Sequence, residues 1–320
     1  MNRSRRLRTP SCAPRWKTCW DRICHRSLER HPMRSQKHLR DELRFVTECN
    51  TFFDVLQQVA VAQLRRVDEL AARQAVESDL IQREYLPLVP APLRAHPLVR
   101  GGASGRLLVV MTSDEGLVGP LHSLVMREAQ ERAEADTRWI LVGQRGRRLL
   151  TAAASALDVM PMPTEEHADD TLRRLGRVIV SRVLREQLRD AWLVSARYVS
   201  ASRQEVACRQ LLPLPLPPSA SPPSADDVIA EPSGERVLEA LSQSWVESVC
   251  VDAFWSARRA EFAAKAMHAE ASRQELAKRN RLVRHEFFKA QHERVDVLVR
   301  ETCVVQRQAS RRSADAGAAR

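Results

Sequence analysis

The chain has 320 residues, 44% hydrophobic and 28% charged, and a net charge of +11. That is enough for one to three domains with a sizeable core. No run approaches the roughly 18 apolar residues of a membrane-spanning helix, and seven scattered cysteines without a CxxC pair exclude a disulfide framework. The charge is unevenly placed. Residues 1–34 hold ten Arg or Lys against Asp21 and Glu29, so the remainder is nearly balanced, which disfavours a phosphate-binding body.

Residues 1–34 form a basic, acid-poor leader lacking the apolar region of a secretory signal. It resembles an organelle transit peptide, and an upstream mis-start ahead of Met33 or a disordered tail are the other readings. Its Cys12, Cys19, Cys24 and His25 match no zinc spacing, so no metal is expected. Reduced cysteines, as in a cytosolic protein, are the default.

Residues 35–84 read as one helix without Gly or Pro. Leu39, Leu43, Val46, Phe53, Ala60, Leu64, Val67 and Ala71 step by three, four or seven and define an apolar seam. Asp68 falls on the expected outer face. Pro87, Pro90, Pro92, Pro97 and the GGASG run make 85–105 a linker. From 106 to 214 the periodicity becomes that of alternating strands and helices. RLLVVMTS, RWILVG, DAWLVSARYVS and QEVACRQLLPL read as strands. GLVGPLHSLVMREAQERAE and HADDTLRRLGRVIVSRVLREQL read as helices, and RWILVGQRGRRLLTAAA as a further strand–turn–helix. A proline-rich linker covers 215–234.

Residues 235–309 contain no Gly or Pro and are dominated by good helix formers. One helix of that length spans roughly 110 Å; several shorter helices in a bundle are the alternative. Apolar residues repeat at Leu238, Leu241, Trp245 and Val249, then at Ala260, Ala264, Met267 and Ala271, then at Val295, Leu298, Thr302 and Val305. Residues 310–320 are a tail. The predicted fold class is α/β: two long terminal helices paired as an antiparallel coiled coil, with a small Rossmann-like α/β domain inserted between them.

Candidate chemistry is sparse. TSDEGLVG (Thr112–Gly119) follows a strand and precedes a helix, where phosphate loops occur, but lacks the GK[ST] ending. VGQRGRR falls short of GxGxxG. The nine histidines form no i, i+4 ligand pair and read as surface residues, while Glu165, Glu166, Asp169 and Asp170 read as helix N-terminal acids. No nucleophile–base set assembles. No cofactor, metal or catalytic residue is expected.

The same motifs carry a resemblance. TSDEGLVG resembles the TSD-x-GL-C-G of the γ subunits of F-type ATP synthases. AVAQLRRVDE (Ala60–Glu69), VGQRGRR, LLPL (Leu211–Leu214), EPSGERVLEAL (Glu231–Leu241) and AFWSARRAEFAAKAMHAEAS (Ala253–Ser272) are similar to further γ motifs in the same order. Val118 stands where relatives carry Cys, and Val295–Leu298 lacks the family's acid. The resemblance implies a non-catalytic rotor that couples ATP turnover to proton or sodium translocation. Its partners would be the α and β subunits, ε and the c-ring, with no nucleic acid. Its place would be peripheral, on the cytoplasmic face of a bacterial inner membrane. It implies that Ser113, Asp114, Glu115, Gly116, Leu117 and Val118 form an exposed loop against the catalytic ring, together with Val295, Leu298 and Thr302. Alanines 263, 264, 266, 269 and 271 would keep the shaft slim. The reading from a different class is a stand-alone α/β nucleotide-binding enzyme with a coiled-coil dimerisation arm; a third is a nucleic-acid binder that uses the leader.

Overall fold

The computed structural model describes residues 36–74, 77–150, 157–217 and 229–318. The basic leader and residues 218–228 of the proline-rich linker lie outside them. The described residues fall into two compact units, one of residues up to Val55 together with those from Glu270 onward, the other Leu56–Ala269.

The long helices are those the periodicity predicts, although the first ends at Gln74 and not at 84, with a short helix at Glu77–Leu80 and a π-helical turn at Ile81–Tyr85 after it. Helix α1 runs Gln36–Gln74, α2 Leu121–Arg132, α3 Ala168–Arg185 and α4 Gly234–Ala318, 85 residues that pass the expected end at 309. In the first unit α1 and α4 run antiparallel. Arg273 meets Asp54 at 2.9 Å, Arg279 reaches Glu42 at 3.0 Å and Arg294 reaches Gln36 at 3.0 Å, so positions rise on one helix as they fall on the other. Leu39 and Val46 are buried, and Leu43 and Phe53 half-buried. In the second unit Ala60, Leu64 and Val67 continue the buried face. Asp68 departs from expectation. It takes the Arg259 guanidinium from α4, so it is an inter-helix partner and not a free outer position.

The sheet has the order β3-β2-β1-β4-β5, from β1 Ser104–Met111, β2 Thr137–Val142, β3 Leu157–Met160, β4 Leu188–Ser200 and β5 Arg203–Leu212. The first four are parallel, and β5 returns antiparallel beside β4. β3 was not predicted: four residues at a sheet edge carry too short an alternation to stand out. The expected linker 85–105 is also more structured than predicted. Short helical turns occupy Leu86–Leu88, Ala91–Ala95 and Pro97–Arg100, and Leu86, Val89 and Leu98 are buried. Pro87, Pro92 and Pro97 sit at the first or second positions of those turns, where a missing N–H costs nothing.

Strand alternation sends odd and even residues to opposite faces. Leu107, Val109, Met111 and Leu193 pack with Leu172, Leu175 and Ile179 of α3. Leu108, Val110, Val194 and Ala196 pack with Val125 and Met126 of α2. Helix α4 contributes to both layers, Trp245, Phe254 and Phe262 to the first and Ala257, Ala260 and Ala264 to the second. It runs alongside β5 in the opposite sense: the Trp245 indole donates to the Leu211 carbonyl at 3.0 Å, while Met267 lies against Gln204.

The middle apolar stripe on α4 needs correcting. Ala260 and Ala264 are buried, but Met267 and Ala271 are exposed; the buried positions are Phe262, Ala269, Leu276 and Val283, seven apart. Once the helix leaves the broad sheet contact it keeps only a heptad seam, which shifts the frame. Ala263, Ala264 and Ala269 accordingly face inward and allow close packing instead of trimming an outer surface.

Candidate functional site

The TSDEGLVG loop begins where β1 ends, and its hydrogen bonds explain its residue types. The Thr112 hydroxyl lies 3.1 Å from the Val142 carbonyl and 3.0 Å from that of Gly143, and it accepts from the Gly146 N–H at 3.1 Å. A Cβ at Gly143, whose φ is +94°, would come within 2.8 Å of the Ser113 nitrogen, and one at Gly146 within 3.0 Å of Thr112. The glycines of VGQRGRR therefore serve close approach of the β2 turn to the β1 loop. Asp114 joins a third segment. One carboxylate oxygen accepts from the Gln144 N–H at 2.6 Å and the other from the Met162 N–H at 2.9 Å.

The loop is less exposed than predicted. Ser113 and Val118 are buried, Val118 within the layer formed with Leu121, Val125 and Ala260. A β-branched apolar residue with a layer of α2 and α4 beneath it turns inward, because burying it is favourable by about 1.5–3 kcal/mol. Asp114 and Glu115 have their carboxylates engaged. Asp114 and Glu115 are exposed, and the apolar residue that projects is Leu117, 47% exposed and held at φ +64°, a left-handed conformation uncommon outside glycine. Gly116 lies beside the Arg145 guanidinium.

Behind the loop lies a charge cluster on α4. The Lys265 ammonium is 6% exposed and the Glu261 carboxylate 3% exposed, and they pair at 2.9 Å. Lys265 also bonds Glu115 of the loop. Arg258 meets Glu261 at 2.7 Å and Glu165 at 3.6 Å, and Arg66 of α1 meets Glu165 at 3.5 Å. Phe262 lies under both cations, 4.6 Å from Arg258 and 5.0 Å from Lys265. Three acids thus face three bases, as burial of charge requires. The bond from Lys265 is the main reason the Glu115 carboxyl is held below its ordinary range.

His122 is a correction to the surface reading of the histidines. It is partly buried, lies 3.0 Å from the Ser113 hydroxyl, and burial pushes its pKa down. Sequence reasoning missed Glu261 and Lys265 as a site, although Glu and Lys four apart within an alanine-rich run point to one shared helix face. Of the other predicted contact residues, Val295 and Leu298 are 50% and 53% exposed, and Thr302 is exposed with its hydroxyl on the Leu298 carbonyl at 2.8 Å. They belong to the first compact unit, whereas the loop belongs to the second.

In doubly wound sheets a ligand binds at the carboxyl ends of the strands where the order reverses, here β1 and β4. That crevice is filled by α4. Ala257, Ala260 and Ala264 pack with Val110, Val118, Val194 and Ala196, and the Tyr198 N–H donates to the Ser256 hydroxyl at 3.1 Å. Among the described residues no group of three or more His, Cys, Asp or Glu is placed to hold a metal.

Comparison with known proteins gives a consistent picture. A family model described as ATP synthase matches residues 35–286. The chain is 29% identical over 236 residues to the ATP synthase gamma chain of Acidithiobacillus ferridurans, spanning 69% of this chain and 78% of that one. It is 28% identical over 258 residues to that of Maricaulis maris, spanning 73% and 85%. Among solved structures, the rotor of the Euglena gracilis mitochondrial ATP synthase in rotational state 1 superposes with a TM-score of 0.58 at 14% identity, over 81% of this chain and 98% of that one. The OSCP/F1/c-ring assembly of the same enzyme in rotational state 3 contains a chain with a TM-score of 0.60 at 13% identity, over 85% and 93%.

Proposed function

The chain belongs to the ATP synthase γ-chain family, and from that premise we propose how its parts serve the role of a central-stalk rotor. It is a non-catalytic subunit that couples ATP turnover in the ring of α and β subunits to ion flow through the membrane sector, with ε and the c-ring as further partners. No helix among the described residues is long and apolar enough to cross a membrane, and the subunit is peripheral to a membrane-bound complex. Within the proposal it works on the cytoplasmic face of a bacterial inner membrane.

The observation that carries the reading is the packing of α4 into the crevice of the sheet. A nucleotide-binding enzyme would leave that crevice open. Here it is a mount, gripping one end of a long helix as a shaft requires. We assign contact with the catalytic ring to Leu117, with Asp114, Glu115 and Gly116 shaping the loop that carries it and Ser113 and Val118 anchoring it. Val295, Leu298 and Thr302 would form a second, smooth contact along α4.

A cross-link tests this. Leu117→Cys, paired with a cysteine in the facing segment of a β subunit, should form a disulfide that stops steady-state ATP hydrolysis, and reduction should restore it. Val118→Cys should cross-link poorly because its side chain lies in the core. Undiminished multi-turnover hydrolysis with the Leu117 link complete would refute rotation against the ring. A magnesium-dependent ATP site on the isolated chain would favour the enzyme reading instead.

A further inference from the structure

We propose that Glu115, Lys265 and Glu261 form a charge latch that makes the Leu117 loop move as one body with α4. The inference rests on the rotor reading and extends it: Lys265 and Glu115 become positioning residues for coupling.

Other bonds also hold the loop. Thr112, Ser113 and Asp114 bond to the β2 turn and to Met162, which tie the loop to the sheet. None of those bonds reaches α4. Val118 packs in the layer to which Ala260 and Ala264 belong, which holds the base of the loop to α4 without reaching Glu115 and Leu117. Among the described residues, the ion pair from the loop to the shaft is that between Glu115 and Lys265. A latch in this position must resist a sideways load, and directional charge-assisted hydrogen bonds do so.

The burial pattern indicates which partner is fixed and which is adjustable. Lys265 lies almost out of solvent, in an ion pair with Glu261 at 2.9 Å and 5.0 Å from the Phe262 ring, so the cation is the buried end of the contact. Arg258 fixes Glu261 in turn at 2.7 Å. Glu115 keeps 62% of its side chain in solvent and reaches in to that fixed cation. The loop can therefore detach without the cluster collapsing, because Lys265 would still face Glu261. Two residues on from Glu115 stands Leu117, the projecting side chain, in a left-handed conformation that needs a fixed loop around it. Force applied at Leu117 passes through Glu115 to Lys265 and so to the shaft.

The test uses the assembled ATP synthase in sealed vesicles, measuring ATP hydrolysis and the ATP-driven membrane potential together, which needs no knowledge of the ion. Glu115→Gln is the main variant, since a half-exposed position tolerates the change. Lys265→Met is the second, and Lys265→Arg should retain the latch. Glu115→Gln and Lys265→Met should each lower the potential generated per ATP hydrolysed about fivefold or more. The double variant should be no worse than the weaker single one, because both act through one bond. The melting temperature of the isolated Glu115→Gln chain should stay at that of the wild type. Wild-type coupling in Glu115→Gln, or equal loss in Lys265→Arg, would overturn the latch while leaving the rotor reading standing. If the wild-type chain itself fails to support ATP-driven potential with its partners, the rotor reading and the latch fall together.

Discussion

The final helix contains two stretches that follow the same local rules and meet opposite fates. Between Leu238 and Ala269, Trp245, Val246, Val249, Cys250, Phe254, Trp255 and Phe262 are buried to 5% exposure or less. Beyond Ala269, Leu276 and Val283 are buried, while Phe288, Val295, Val297, Leu298, Val299, Val304 and Val305 stand half open or more. Both stretches are made of good helix formers, so both are helical. What differs is the surface available to pack against. The first stretch has a five-stranded sheet and α3; among the described residues the second has α1 alone beside it. Secondary structure is written locally, but burial depends on what else the chain can bring to the spot. An apolar residue on the second stretch therefore says little about stability and more about a surface left free for a partner.

The largest effect should come from placing charge in the buried region. Leu64→Arg would put an unpaired guanidinium on the inner face of α1 and should cost about 4 kcal/mol, whereas Glu69→Arg on the exposed side should cost under about 0.5 kcal/mol. Asp68 is not a neutral control, because Arg there would face Arg259. Equal denaturation midpoints for the Leu64 and Glu69 variants would mean that the seam is misplaced.

Next comes a matched pair within α4. Phe254→Ala removes a fully buried ring and should cost about 3–5 kcal/mol, while Phe288→Ala, at a ring 55% exposed, should cost a few tenths of a kcal/mol. Urea unfolding of the two variants decides whether the stretches differ as described. A large loss at Phe288 would show that the second stretch has a buried partner after all.

The thiols report the same contrast without disturbing the fold. Cys303 is exposed on the second stretch. On the first stretch, burial pushes Cys250 up to about 12, and burial pushes Cys208 on β5 up to about 11. The thiolate is the reactive form, so a maleimide at neutral pH should label Cys303 well before either of the others. Labelling of Cys250 at the rate of Cys303 in the native protein would mean that the first stretch opens readily.

Sequence alone made the long helices legible because sustained composition and a heptad seam are strong, local signals. It also placed the four longer strands. It missed β3, whose four residues sit at an edge, and mistook the turns around Pro87, Pro92 and Pro97 for an open linker. The loop was legible as a motif but not as a shape. Nothing local distinguishes Leu117 from Val118, and only the layer containing Leu121 and Ala260 turns one inward and leaves the other outside. The cluster at Glu261 and Lys265 was hidden for the same reason: its third member, Glu115, lies 150 residues away.

The smallest effect expected is a pH dependence confined to the unit with the sheet. His122 and His268 both lie partly buried there, and burial pushes both pKa values down. For His122 the neighbours oppose one another: Glu261 draws the pKa up, while Arg145 and Lys265 push it down. In the unfolded chain each imidazole takes up a proton near 6.5, but in the folded chain it does so only at lower pH. Above 6.5 both states are neutral and the contribution to stability is complete. As pH falls from 6.5 towards the depressed folded values, the unfolded state binds protons first and stability declines. The half-buried Asp252 has the opposite sign, since partial burial raises its pKa and folding loses least when it is protonated, and that window opens from its unfolded value near 3.8 upward. Glu115 and Asp190, both lowered, act in the acid range as well. Just below 6.5 the histidines lower stability as pH falls while Asp252 acts in the other direction, so a variant lacking both imidazoles isolates their share. Melting temperature should drop modestly from pH 7.5 to 5.5 in the wild type, and a His122→Gln, His268→Gln variant should show a flatter profile. An unchanged slope in that variant would mean that the two imidazoles reach water as freely in the folded protein as in the unfolded chain.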